Sequence, residues 1–180
     1  MKRITLLAAL LFGLTLQPFV VSAQDAPEKK EKKGYEFTLV KEVPHTPVPN
    51  QYRSGTCWSF SGIGLLEAEI LRKSGRTVNL SEMFIVRNAY SEQATKYVRL
   101  HGSLNFSAGG GFSDVTHVMD KYGLIPESAY SGLVIGEENH THGEMDAVLK
   151  AYVDAVIKNS NRKLTPVWHK GFDSVLDAYL

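Results

Sequence analysis

The sequence predicts an α+β chain in which helix dominates. Helical apolar spacing recurs in five stretches after residue 56. Only one stretch, residues 35–43, alternates as a strand does, and three closely spaced prolines separate the two regions. With 180 residues, 43% hydrophobic and 22% charged, the composition is that of an ordinary globular domain and excludes collagen-like repeats and wholesale disorder.

The N-terminus reads as an export leader over residues 1–23. Lys2 and Arg3 precede an apolar run from Ile4 to Leu16, and Val21-Ser22-Ala23 places small residues where a signal peptidase cuts. The run is short for a membrane span of about 20 residues, and no later stretch is apolar for long enough. Removing Lys2 and Arg3 takes the net charge from +1 to −1. Such a chain has no electrostatic reason to bind nucleic acid or an anionic membrane. Localisation is expected to be periplasmic or secreted. Residues 24–34 carry four lysines, three acids and no large apolar side chain, and so form a flexible charged linker. The folded domain is expected over 35–180.

Tyr35 to Val43 predicts a short strand through Phe37, Leu39 and Val40. Pro44, Pro47 and Pro49 then impose an extended, rigid approach to Asn50 and Gln51. A helix begins at Cys57, with Ser59, Ile63, Leu66 and Ile70 on one face and Gly75 as its stop. Gly62 and Gly64 within it point to close packing against the backbone. A second helix starts at Leu80-Ser81-Glu82 and runs towards Tyr97, with Ser81 as N-cap and Glu82 suited to the positive helix end. Residues 101–108 read as loop and Gly109-Gly110-Gly111 as a break. A third helix spans Phe112 to Tyr122 and stops at Gly123. Met145 to Ile157 gives a fourth, and a fifth from Val167 is still running at Leu180.

Chemistry concentrates at Cys57. A single cysteine forms no intrachain disulfide, and an exported free thiol is a liability unless used or buried. Cys57 stands where a glycine-containing loop becomes a helix. Unpaired amides there favour the nucleophilic thiolate. Gln51, on the proline-set approach, offers a neutral amide donor for an oxyanion. Trp58 and Phe60 anchor the helix in the core. A cysteine buried in a helix core is the alternative that cysteine usage alone leaves open.

Gln51, Cys57, Trp58 and Phe60, spaced as a glutamine, five residues, then Cys-Trp-x-Phe, resemble the cysteine signature of papain-like (C1) peptidases. Leu80-Ser81-Glu82 resembles the start of that family's second helix, with Met83 where the papain branch usually has glutamine. Gly109-Gly110, followed by Tyr122-Gly123-Leu124-Ile125-Pro126, resembles the family's Gly-Gly segment and the helix after it. The Lys-Tyr-Gly and Ile-Pro form looks closest to the bleomycin hydrolase and aminopeptidase C branch, and the lack of paired cysteines fits it. The resemblance covers about residues 35–180. It implies a papain-like fold, mainly the helical left domain with the C-terminal β domain missing. It also implies a cysteine peptidase, an aminopeptidase in that branch, with peptide substrates, no cofactor and a homohexameric assembly.

In that resemblance Cys57 is the nucleophile, Gln51 and the Cys57 amide form the oxyanion hole, and Gly109, Gly110 and Trp58 bind substrate. The catalytic histidine and asparagine lie far downstream in the family, and none of the six histidines here sits in the family's motif. The 180-residue piece is therefore expected to be truncated and inactive alone. The alternative function is an exported, non-catalytic binding or structural domain with a free thiol.

His140 and His142, with Glu137, Glu138, Glu144 and Asp146 nearby, can bind a metal, but polar loops commonly look like this and no metal is predicted. His117 reads as a packing or surface residue, and His45, His101 and His169 have no partner pattern. Asn79, Asn105 and Asn139 begin glycosylation sequons, which matter only in a eukaryotic secretory pathway. The short leader and single cysteine favour a bacterial source.

Overall fold

The computed structural model describes residues 34–161 and 163–180. The predicted leader at 1–23, and all of the charged linker except Gly34, lie outside the described residues. The chain divides into two units between Val40 and Lys41.

In the first unit, residues 34–40 are irregular, with Tyr35, Phe37, Leu39 and Val40 exposed. The strand predicted over Tyr35–Val43 does not form. A strand is stable only when a neighbour takes up its backbone donors and acceptors, and there is no strand among the described residues to do so.

The second unit contains five helices: α1 (Cys57–Ser74), α2 (Glu82–Arg99), α3 (Phe112–Tyr122), α4 (Gly143–Ile157) and α5 (Val167–Asp177), with a short 3-10 turn at Glu127–Ala129. α2 is central, and each of the other four helices packs on it. It buries Met83, Ile85, Val86, Ala89, Tyr90, Ala94, Tyr97 and Val98. Phe106, in the loop after α2, closes one end of the core. Its ring lies 6.4, 6.0 and 5.8 Å from those of Tyr90, Tyr97 and Phe172. Arg87 of α2 grips Asp177 of α5 with two hydrogen bonds, of 2.7 and 3.0 Å.

Local signals set the helix ends. The Ser81 hydroxyl accepts the Phe84 amide at 2.9 Å, as an N-cap should. The Gly75 and Gly123 amides close α1 and α3 on the carbonyls of Leu71 and Met119. α3 opens with the Gly111 amide donating to Asp114 at 2.8 Å. The close approach expected at Gly62 is made by Val115 of α3, whereas Gly64 faces open space. α5 ends at Asp177 rather than continuing through Leu180. The Tyr179 and Leu180 amides fold back on the Leu176 carbonyl, and Leu180 is buried.

Two isolated backbone bridges complete the unit. Arg53 pairs with Thr141 in parallel, and Leu80 with Pro126 antiparallel. Among the described residues no helix is long and apolar enough to cross a membrane.

Candidate active site

The approach to Gln51 forms neither helix nor strand, and it is tied to α1 by a buried carboxylate. Glu67, 4% exposed, accepts the Thr46 hydroxyl at 2.6 Å and the Leu80 amide at 2.7 Å. One side chain thus joins the proline segment, α1 and the entry to α2. Sequence reasoning missed this residue. Its position was nonetheless a signal, since Glu67 follows Ile63 by four residues and precedes Ile70 by three. It therefore lies on the apolar face, and a carboxylate there must find donors when buried.

The loop from Asn50 to Thr56 is pinned at several points. Asn50 Oδ1 accepts the Tyr52 amide at 2.9 Å, and Tyr52 adopts a φ of 49°. The Arg53 amide donates to the His140 carbonyl at 3.0 Å, and the Arg53 carbonyl accepts the His142 amide at 3.2 Å. The Ser54 and Thr56 hydroxyls, both buried, hydrogen-bond each other. The Thr56 carbonyl then accepts the Ser59 amide at 2.9 Å, which starts α1.

Cys57 is the first residue of α1, and its thiol is free and exposed. The alternative of a cysteine sealed in a helix core therefore fails. First-turn amides of a helix lack intrahelical partners and present positive potential; α1 has no acidic residue in that turn to oppose it. Gln51 is half-buried, with Oε1 buried and without a hydrogen-bond partner.

Trp58, 8% exposed, organises the glycine segment. Its Nε1 donates to the Ala108 carbonyl at 3.0 Å, which also accepts the Tyr90 hydroxyl at 3.3 Å. Gly110 lies directly against the indole, and a Cβ built there would be 2.6 Å from Cε2. The Gly109 carbonyl accepts Gln93 Nε2 at 3.2 Å. The tryptophan next to Cys57 therefore holds Ala108–Gly110 against the start of α1. Its indole packs against Gly110, whereas a Cβ at Gly109 would meet only Ser107.

Among the described residues no histidine hydrogen-bonds the Cys57 thiol. His45, His101 and His117 are exposed. His169 lies against Ser91 and Thr95, with Nε2 3.0 and 3.2 Å from their hydroxyls. His142 is buried, and burial, with neighbouring His140 second, pushes its pKa down to about 4 against a small opposing effect of the Ser54 backbone. Burial raises Glu82 to about 7, with Glu127 and Glu67 adding repulsion, and raises Glu127 to about 7 with help from Glu67. Sequence reasoning singled out Glu82 only as a first-turn acid of α2 and missed its coupling to Glu67 and Glu127.

The profile described as "Papain family cysteine protease" matches residues 36–163. The chain is 34% identical over 112 residues to a cathepsin L-like peptidase of Aedes aegypti, covering 61% of this chain and 30% of that protein. It is 35% identical over 85 residues to cathepsin L2 of Homo sapiens, covering 41% and 23%, and 29% identical over 116 residues to procathepsin L of Mus musculus, covering 57% and 31%. With the helical fold and the exposed cysteine at the start of α1, the match places this chain in the papain family of cysteine proteases. The aligned regions span about a third or less of these relatives. The relatives are cathepsin L-type, so the expected bleomycin hydrolase and aminopeptidase C branch finds no support in them, nor does the homohexamer it implied.

Proposed function

We propose that this chain carries the nucleophile of a papain-type cysteine peptidase acting on peptides. As thiolate, Cys57 Sγ attacks the scissile carbonyl, and the oxygen takes up the negative charge. The Cys57 amide and the Gln51 side-chain amide donate to that oxyanion. Collapse breaks the C–N bond, leaves the acyl group on sulfur and releases the amine, which must gain a proton. Water then hydrolyses the thioester. The acid and base that move these protons are assigned to none of the six histidines of this chain. Gly109 and Gly110 form the wall along which the substrate backbone runs, and Trp58 acts by holding that wall in place. The cathepsin L relatives favour an endopeptidase over the aminopeptidase expected from the sequence, and a blocked peptide substrate separates the two. Residues 1–23 serve as an export leader, which N-terminal sequencing beginning at Gln24 would verify.

The carrying observation is the exposed, unpaired thiol at the first position of α1, six residues after Gln51 in the family's spacing. A peptidyl epoxide should label Cys57 in the full-length enzyme much faster than it labels free cysteine, and Gln51→Ala should slow that labelling. A rate equal to that of the free amino acid defeats the proposal. The second reading, a non-catalytic exported domain, is favoured by the lack of a histidine bonded to the thiol among the described residues. It prevails if the gene product ends at Leu180 and cleaves neither blocked nor unblocked peptides.

A further inference from the structure

We infer that His140 and His142 form a binding site for a divalent transition-metal ion of the zinc class, with water completing the coordination. The two histidines flank Thr141, which bridges Arg53 in parallel, and His142 is also the N-cap residue of α4, with φ −100° and ψ 1°. Arg53 holds the segment in place through the two backbone hydrogen bonds that flank Thr141. The imidazoles lie beside each other, with ring centres 5.7 Å apart and planes at 75°. A zinc–nitrogen bond is about 2.0–2.1 Å and a ring centre lies roughly 1.1 Å behind its nitrogen, so two imidazoles on one ion have centres about 5–6.4 Å apart. The observed separation falls within that range.

His140 Nδ1 is buried and makes no hydrogen bond, and the two His142 nitrogens are buried with no well-formed hydrogen bond, only the Ser54 backbone standing near enough to act on that ring. His142 is 3% exposed. Buried polar atoms are almost always paired, so this concentration on two adjacent rings points to a partner. The Phe60 ring, 6.0 Å from that of His140, gives the pair an apolar flank. No third histidine, cysteine or carboxylate joins the two among the described residues. Two neutral nitrogens select zinc, copper, nickel or cobalt over magnesium or calcium. They also limit affinity to the micromolar range. An ion there would stiffen the segment that clamps Arg53, two residues from Gln51, and it reverses the expectation that this loop holds no metal.

Zinc calorimetry and cobalt absorption spectroscopy test this on the mature chain carrying Cys57→Ser, so that the thiol takes no metal. We expect one equivalent bound with a dissociation constant on the order of 10 µM, weakened at least tenfold by His140→Gln or His142→Gln and unchanged by His101→Gln. Zinc, but not magnesium, should raise Tm. His140 is half-buried, so His140→Gln decides the matter if the His142 variant does not fold. Absence of heat and of cobalt bands at about 200 µM metal, or binding that survives His140→Gln, overturns the site and leaves these nitrogens to water. Either result is independent of Cys57 chemistry.

Discussion

Gly110→Ala tests the packing that sets the glycine wall beside the nucleophile. A methyl at position 110 would stand 2.6 Å from Trp58 Cε2, 2.7 Å from Cδ2 and 3.0 Å from Cζ2. Carbon contacts settle near about 3.5–4.0 Å, so the indole or the segment must move by roughly 1 Å. The indole is poorly placed to yield. It is buried in the core, and its N–H is committed to Ala108 at 3.0 Å. Overpacking of this kind costs about 1–3 kcal/mol, and losing the indole hydrogen bond adds about 1 kcal/mol. The expected loss is therefore about 2–4 kcal/mol, a large part of the roughly 5–15 kcal/mol that holds a domain folded. Gly109→Ala is the control. Its Cβ would meet nothing closer than Ser107 Oγ at 3.7 Å, so a change within about 0.5 kcal/mol is expected. Urea unfolding followed by tryptophan fluorescence measures both variants. Epoxide labelling of Cys57 should slow in the Gly110 variant only. If Gly110→Ala matches the parent, or Gly109→Ala is equally damaging, the indole does not set the register of this segment.

Glu67→Ala leaves the Thr46 hydroxyl and the Leu80 amide without their acceptor, and should cost about 3 kcal/mol in denaturant unfolding; a loss under about 1 kcal/mol would show that the carboxylate is dispensable. Glu82 has a folded pKa of about 7, above its ordinary 4.5, so the folded state holds the extra proton between these values. Stability should fall as pH rises through that window, and Glu82→Gln should flatten the decline and gain about 1–3 kcal/mol at pH 8. Parallel Tm-versus-pH curves for variant and parent would refute this. His142 behaves oppositely. Its folded pKa of about 4 lies below the ordinary 6.5, so stability is lost as pH falls through 6.5 towards 4. His142→Gln should flatten that acid limb, and an unchanged limb would place the titration elsewhere.

Much of the helical framework was legible in the sequence because helix formation rests on interactions within three or four residues. The apolar spacing from Ile63 to Ile70, the Ser81 cap and the stops at Gly75 and Gly123 all lie inside that range. The position of Cys57 at a loop-to-helix switch was legible for the same reason. What spacing could not supply was the long-range partner. The alternation of Tyr35–Val43 looks like a strand, yet no neighbouring strand among the described residues takes up its hydrogen bonds. Gly109 and Gly110 look equivalent in sequence, and only Trp58, some fifty residues earlier, distinguishes them by lying against one. Glu67 looks like a break in an apolar face until Thr46 and Leu80 arrive to fill its acceptors. The pairing of Arg53 with residues 140–142 joins two loops that carry no mark of each other. Local chemistry determined where most helices begin and end and which residue stands at the start of α1. Tertiary structure decided which buried groups find partners, because contacts between distant residues depend on how the whole unit closes around its core.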